Sequence, residues 1–176
     1  MITYLDEEAG HVPAREMLLD RAFGPARFLK SSQRIRDGRM PADGLSLVAV
    51  DGSLLVGTVR LWHVTAWRLG AKALLLGPLA VADDQRGAGI GAALMRIATA
   101  RAAERGHGAI LLVGDPAYYE RFGFSAASTG GLAMPGPFER HRLLALELKS
   151  GALTGAAGVI RPAGERLPVD AAVLAA

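Results

Sequence analysis

The stretch from Leu76 to Ala93, LGPLAVADDQRGAGIGAA, constrains this chain more than any other, because it joins an apolar strand to a helix through Arg86-Gly87-Ala88-Gly89-Ile90-Gly91. The first amide N–H groups of a helix lack partners within it and carry partial positive charge. A phosphate placed there is both hydrogen-bonded and electrostatically favoured. Gly87, Gly89 and Gly91 have no Cβ, so backbone amides can come close to a bulky diphosphate and positive φ is tolerated. Arg86 adds a planar fork of donors matched to phosphate oxygens.

Three kinds of phosphate-binding turn compete for this stretch. A P-loop ends its glycine run with Lys and Ser or Thr, and Ala92-Ala93 stand there instead. The dinucleotide fingerprint fits literally as Gly87-x-Gly89-x-x-Ala92, with Asp115 at about the distance of a ribose-binding acid. Its context does not fit. Ala82-Asp83-Asp84-Gln85-Arg86 separate the strand from the first glycine, earlier strands precede it, and too little chain follows Asp115 for a second half.

The third possibility rests on Arg86, Gly89 and Gly91, which resemble the Gln/Arg-x-x-Gly-x-Gly/Ala motif of the GNAT acyltransferases, whose turn grips the diphosphate of coenzyme A. A second block, GDPAYYERFGF (Gly114 to Phe124), resembles that superfamily's later helix and follows in its order and at its usual separation. GPLAV, DPAYYERFGF and LALELKSGAL look in particular like a small bacterial YhbS-like branch of predicted N-acetyltransferases. The resemblance covers roughly residues 1–160 as a single domain and leaves 161–176 as a tail packing on the domain or a partner. It implies an α/β (α+β) GNAT fold: a mixed, mostly antiparallel sheet of about six or seven strands, flanked by helices and splayed at its two central strands.

By the same resemblance, Arg86, Gly87, Ala88, Gly89, Ile90, Gly91 and Ala92 bind the cofactor's diphosphate, and backbone groups of Leu79, Ala80 and Val81 pair with its pantetheine arm as an extra strand would. Tyr119, four residues before Gly123-Phe124, takes the place of the tyrosine near the thioester sulfur and is the expected general acid. Tyr118 is its adjacent rival, turned about 100° away on a helix. The implied activity is direct transfer of acetyl from acetyl-CoA to an amine in a ternary complex. Zero cysteines leave no thiol to carry the acyl group. The central strands carry no glutamate such as many relatives use as base, so a water chain or capture of the minority neutral amine is expected. Two other classes stay open: a non-catalytic acyl-CoA sensor, and an NAD(P)-dependent oxidoreductase.

At 176 residues with 51% hydrophobic content, the chain is long enough for one domain with a substantial core. The four histidines are scattered and no His or carboxylate pair has metal-ligand spacing, so no metal is expected. A net charge of +3 comes mostly from dispersed arginines without a basic tract, which argues against nucleic acid and suits a polyanionic cofactor. No run is apolar and long enough to span a bilayer, and no signal peptide is apparent, so a cytoplasmic monomer or homodimer without membrane contact is expected.

In chain order, residues 2–5 read as a strand, and a helix from about Val12 shows Ala14, Met17, Leu18 and Ala22 on one face. Residues 26–36 read as a weaker helix with Phe28 and Ile35 apolar and Lys30, Arg34 and Arg36 solvated; Phe28 and Ser31 are candidates to line an acceptor cleft. Residues 45–50 and 54–64 read as a hairpin turned at Asp51-Gly52. The central strand, 71–82, is broken at Gly77-Pro78, where proline marks a bulge. A helix over 90–105, with Ile90, Leu94, Ile97 and Ala98 on its apolar stripe, leads to a buried strand over 109–113. Asp115-Pro116 then reads as a helix cap, where an asparagine is usual in the superfamily. A Gly/Pro-rich loop over 128–140, a last long strand over 142–148 and a short strand near Val159-Ile160 complete the expectation.

Overall fold

Runs dominated by apolar and β-branched residues build most of one seven-stranded sheet in the computed structural model, which describes residues 1–65 and 72–168. Its strands are β1 (Ile2–Asp6), β2 (Ser46–Asp51), β3 (Leu54–Thr65), β4 (Lys72–Val81), β5 (Ala109–Val113), β7 (Leu143–Glu147) and β9 (Arg161–Pro162). The order is β1-β2-β3-β4-β5-β7, with β9 paired to the far end of β3; every pairing is antiparallel except β4 with β5. A separate parallel pair joins β6 (Leu132–Ala133), inside the stretch whose glycine and proline content suggests plain loop, to β8 (Gly158–Val159), close to where a short strand is expected. The turn between β2 and β3 carries Gly52 at φ 60°, as the Asp51-Gly52 signal requires. Residue 71, where the central strand is expected to start, and residues 169–176 lie outside the described residues.

Side-chain alternation divides the sheet's apolar residues between two cores. Leu74, Leu76, Ile110 and Leu112 pack with Ile90, Leu94 and Ala98 of α3 (Ile90–Glu104). Ala73, Leu75, Ala109 and Leu111 face the other way, toward Ile35 of α2 (Gln33–Arg36). On that second face, Leu18 and Leu19 of α1 (Val12–Phe23) cover Val48, Val50 and Ala80. Each such leucine or isoleucine contributes about 1.5–3 kcal/mol by leaving water. Gly57 of β3 allows α3 to seat this closely, since a Cβ there would stand 3.0 Å from Ile90 Cγ2 and 3.1 Å from Leu94 Cδ1.

Two helical expectations need correction. Ala14 and Met17 are exposed, and the inward face of α1 is Arg15, Leu18, Leu19 and Ala22. Arg15 turns inward because Glu7, itself buried, pairs with it and with Arg60 of β3, whose Nε donates to Glu7 Oε2 at 2.8 Å. Nor is 26–36 one helix. A 3-10 turn over Pro25–Leu29 ends at Lys30, which is extended (ψ 143°), and α2 is a single turn. This break turns Ile35 into the core, and Arg36 becomes partly buried instead of solvated.

The feature that matters most for function is a parting of strands. β4 and β5 pair only at Leu74↔Ile110 and Leu75↔Leu111, yet β5 continues on β7 to Val113 and β4 continues on β3 to Val81. At the same level the β3–β4 register shifts between Val59 and Leu61, opposite the cis peptide Gly77-Pro78, where the proline predicts a bulge. Trp62 secures that bulge by donating its indole N–H to the Gly77 carbonyl at 2.6 Å. Beyond it, Ala82 N–H donates to Val56 C=O, and antiparallel alternation then makes Thr58↔Ala80 the next hydrogen-bonded pair. Leu79 and Val81 therefore turn their N–H and C=O groups away from β3 and into the gap beside β5, whereas Ala80 turns its own toward β3.

Candidate active site

The strand-to-helix turn has the geometry its glycines imply. A 3-10 turn over Asp83–Gln85 leads to Gly87 at φ 85° and to Gly89, the N-cap of α3, at φ 80°. The first bond of the helical ladder runs from Ala93 N–H to Gly89 C=O, so the amides of Ile90, Gly91 and Ala92 lie ahead of that ladder. A Cβ at Gly87 or Gly89 would meet nothing within 4 Å. These amides face a cavity of about 430 Å³ whose lining includes Leu79, Ala80, Val81, Arg86, Gly87, Gly89, Ile90, Gly91 and Ala92. Of the residues expected at the cofactor, Ala88 is absent from that lining. Arg86, largely exposed, forms an ion pair with Asp83 at 2.7 Å.

A larger cavity, about 1040 Å³, lies along β4 from Leu75 to Leu79 and is closed by Val113, Gly114 and Asp115 at the end of β5. Arg27, Lys30, Ser31 and Arg36 form one wall, and Pro137, Phe138, Glu139 and Arg142 another. Ser31 lines it as the sequence suggests; Phe28 does not, being exposed with Arg27 stacked on its ring at 4.1 Å. Leu79, Arg86, Tyr118 and Tyr119 line both cavities, so the tyrosines stand where the two meet.

Both tyrosines belong to α4 (Pro116–Tyr119), one turn long, capped by Asp115, whose carboxylate accepts from Ala117 N–H at 3.2 Å. Their rings meet edge to face with centroids 4.9 Å apart. Tyr118 extends its hydroxyl to within 3.0 Å of where a Gly91 Cβ would stand, over the start of α3. Tyr119 packs against the core on the α3 side of the sheet, with Phe124 at 6.1 Å between ring centroids. A Cβ at Gly114 would stand 2.2 Å from its ring, so a glycine there is what admits the ring. Burial pushes the Tyr119 phenol up to about 12, with Tyr118 and Asp115 adding to the shift and Arg142 opposing it.

Sequence reading singles out the glycine turn and the tyrosine but misses the cations and the Glu139 carboxylate of the larger cavity. Arg36, Lys30 and Arg142 come from a broken helix and a distant loop, with no motif spacing to relate them. Among the described residues, no group of three His, Asp or Glu side chains is placed to hold a metal ion, and no helix is long and apolar enough to cross a membrane.

Over 150 residues the chain is 30% identical to the "Uncharacterized N-acetyltransferase YhbS" of Escherichia coli K12, covering 84% of this chain and 88% of that one. The chain belongs to the GNAT acetyltransferase family. The family's acetyltransferase (GNAT) domain model matches residues 42–126, from ahead of β2 to just past α4. The solved structure of E. coli YhbS, a complex with CoA, superposes on this GNAT chain with a TM-score of 0.78 at 28% identity, covering 92% of this chain and 89% of that one. A Brucella melitensis GNAT acetyltransferase in complex with acetyl-CoA shares the fold at TM-score 0.58 and 23% identity, covering 83% and 96% of the two chains. The seven-stranded mixed sheet with its parted β4 and β5 is thus the GNAT sheet.

Proposed function

We propose that this GNAT chain transfers acetyl from acetyl-CoA directly to an amine in a ternary complex, with the cofactor's diphosphate at the start of α3 and the amine in the larger cavity. The observation that carries this reading is the parting of β4 from β5 after Leu75 and Leu111. It leaves the backbone groups of Leu79 and Val81 facing a gap that joins the two cavities. The residues present fit such a cofactor: amides ahead of the α3 ladder, open space over Gly87 and Gly89, and a strand edge able to hydrogen-bond an extended amide chain. When bound, acetyl-CoA supplies an acyl group activated as a thioester.

In this reading Leu79 and Val81 pair with the pantetheine arm, while Ala80 only lines its path. Ile90, Gly91 and Ala92 donate amides to the diphosphate, with Gly87, Ala88 and Gly89 shaping the turn, and Arg86 exchanges Asp83 for a phosphate oxygen. Backbone N–H groups beside the Gly77-Pro78 bulge polarise the thioester carbonyl. Tyr119 protonates the departing thiolate. The larger cavity holds two carboxylates, but Asp115 is committed to its cap and Glu139 to Arg142 at 3.3 Å. The amine, of pKa near 10, therefore loses its proton to water or enters neutral. The transferase unit is residues 1–160, and the segment that follows packs on it, entering as β9 on the end of β3, with Ala163 N–H donating to His63 C=O and Leu167 N–H to Gly38 C=O. The setting is cytoplasmic.

CoA-thiol release across a panel of amines, amino acids, polyamines, aminoglycosides and peptide N-termini tests the activity. Binding of acetyl-CoA with no release on any acceptor would leave a sensor, and preference for NAD(P) over CoA would leave an oxidoreductase.

The turn has its own test. Gly89 sits at positive φ, where any side chain strains the backbone, so Gly91→Val is the cleaner probe of close approach: the nearest atom is the movable Tyr118 hydroxyl. Gly91→Val is expected to weaken acetyl-CoA binding by about 100-fold or more, several kcal/mol. Arg86→Ala is expected to cost about 1.5 kcal/mol, the low end for a charge-assisted contact, because Arg86 is exposed and already paired. Equilibrium dialysis measures both, and unchanged affinity in a folded Gly91→Val protein would remove the turn from the site.

A further inference from the structure

We propose that the acceptor amine also bears a carboxylate, received in the larger cavity by the Arg36 guanidinium with Lys30 beside it; this rests on the acetyl-transfer reading above. The cavity is lined by five cations, Arg27, Lys30, Arg36, Arg86 and Arg142, against two acids, Asp115 and Glu139. Three of the cations already have carboxylates. Arg27 pairs with Glu16 and Asp20, Arg86 with Asp83 and Arg142 with Glu139. Arg36 and Lys30 form no ion pair among the described residues.

Arg36 has little else to hold it. Its Nη2 reaches only neutral oxygens, Gln33 Oε1 at 3.2 Å and Ser32 Oγ at 3.4 Å. Its Nε is buried and makes no hydrogen bond. The cavity can meet only the Nη edge of the guanidinium, where Nη1 makes no hydrogen bond among the described residues, and a fork of guanidinium N–H groups matches the oxygens of a carboxylate. The side chain is desolvated enough for burial to pull its pKa down to about 10, and burial with Arg36 and Arg142 nearby also lowers that of Lys30.

Position separates this group from the cofactor. Arg36 and Lys30 line the larger cavity and not the smaller one at the start of α3. Arg36 Nη1 lies 3.8 Å from where a Gly77 Cβ would stand, at the bulge, on the side of Leu79 away from the diphosphate turn. A field of unpaired cations disfavours a polycation. It also shifts a bound amine toward its neutral, nucleophilic form, supplying part of what a general base would otherwise provide.

The test compares kcat/KM for CoA release with L-amino acids, their amides and spermidine; dipeptides and dipeptide amides separate a free amino acid from a peptide end. Acids are expected to exceed their amides by about tenfold or more, a preference that Arg36→Gln reduces to about twofold by raising KM for the acid, with acetyl-CoA affinity unchanged. Equal or better turnover of amides or spermidine overturns the proposal, as does a preference that survives Arg36→Gln. Loss of acetyl-CoA affinity in that variant would assign Arg36 to the cofactor and also overturn it. Should Arg36→Gln not fold, Lys30→Gln and Arg36→Lys carry the comparison, and an intact preference in both counts against the proposal. If no amine turns over, the transfer reading fails on its own. The carboxylate is then read by calorimetry of N-acetyl-L-amino acids and their amides on the CoA-loaded protein: tighter binding of the acid, lost in the variant, supports it, and equal binding overturns it.

Discussion

Replacing Tyr119 by phenylalanine is expected to lower kcat by about 10²–10³-fold while leaving acetyl-CoA affinity nearly unchanged, because the ring that packs on Phe124 is kept and only the donor is lost. The raised pKa shapes this expectation in two ways. A phenol near 12 stays protonated from pH 6 to 10, so the pH profile of kcat should show no descending limb from tyrosine ionisation in that range. It is also a weak acid. Full transfer to a thiolate of ordinary pKa near 8.5 is about 5 kcal/mol uphill, a gap narrowed because the same desolvation raises the thiol. The effect is therefore placed in the lower half of the range for a general acid, with hydrogen-bond donation as its main part. Tyr118→Phe is the control, since its hydroxyl lies over Gly91 at the start of α3. Activity within about threefold of the parent in Tyr119→Phe, with collapse in Tyr118→Phe, would transfer the role; activity in both would remove a tyrosine acid from the site.

Truncating Glu7 to alanine is expected to cost about 3 kcal/mol of stability, because it takes away a carboxylate shared by two arginines and leaves one of them with none. Arg15 and Arg60 both direct their guanidinium groups at this one carboxylate, whose side chain is only 3% exposed. Arg15 keeps Glu16, which is nearer to solvent, so the loss falls chiefly on Arg60. Against a typical domain stability of 5–15 kcal/mol this is a large share, and a fall in melting temperature of about 10 °C follows for a chain of this length. Thermal and urea unfolding measure it. A fall under about 2 °C would show that the cluster is neutral for stability, and a double replacement of Glu7 and Arg60 by apolar residues separates stranded charge from lost packing.

The same cluster explains where sequence reading stopped. Helical periodicity sorts α1 by polarity, and an arginine counts as outward. It cannot register that Glu7, from before the helix, and Arg60, from the middle of β3, would meet Arg15 and draw it in, leaving Met17 exposed. Arg36 is assigned to solvent by the same reasoning, since the cavity that it lines is completed by Gly77 and by a loop a hundred residues away. The glycine turn, the Gly77-Pro78 bulge and the Asp115 cap were legible because each is a local backbone demand met by the residues next to it. The tyrosine's position could be carried over from a family motif. Its burial and neighbours had to come from the fold.

The divergence of β4 and β5 has a consequence beyond catalysis. An unpaired strand on the rim of a sheet is open to any neighbouring chain and invites misassembly. Here the unsatisfied rungs of Leu79 and Val81 lie in the middle of the sheet, flanked by β3, β5 and the two tyrosines. Because strands of the same sheet border the gap on both sides, a neighbouring chain cannot extend the sheet there as it could at an outer edge, and the unpaired rungs carry less of the hazard that outer strands present.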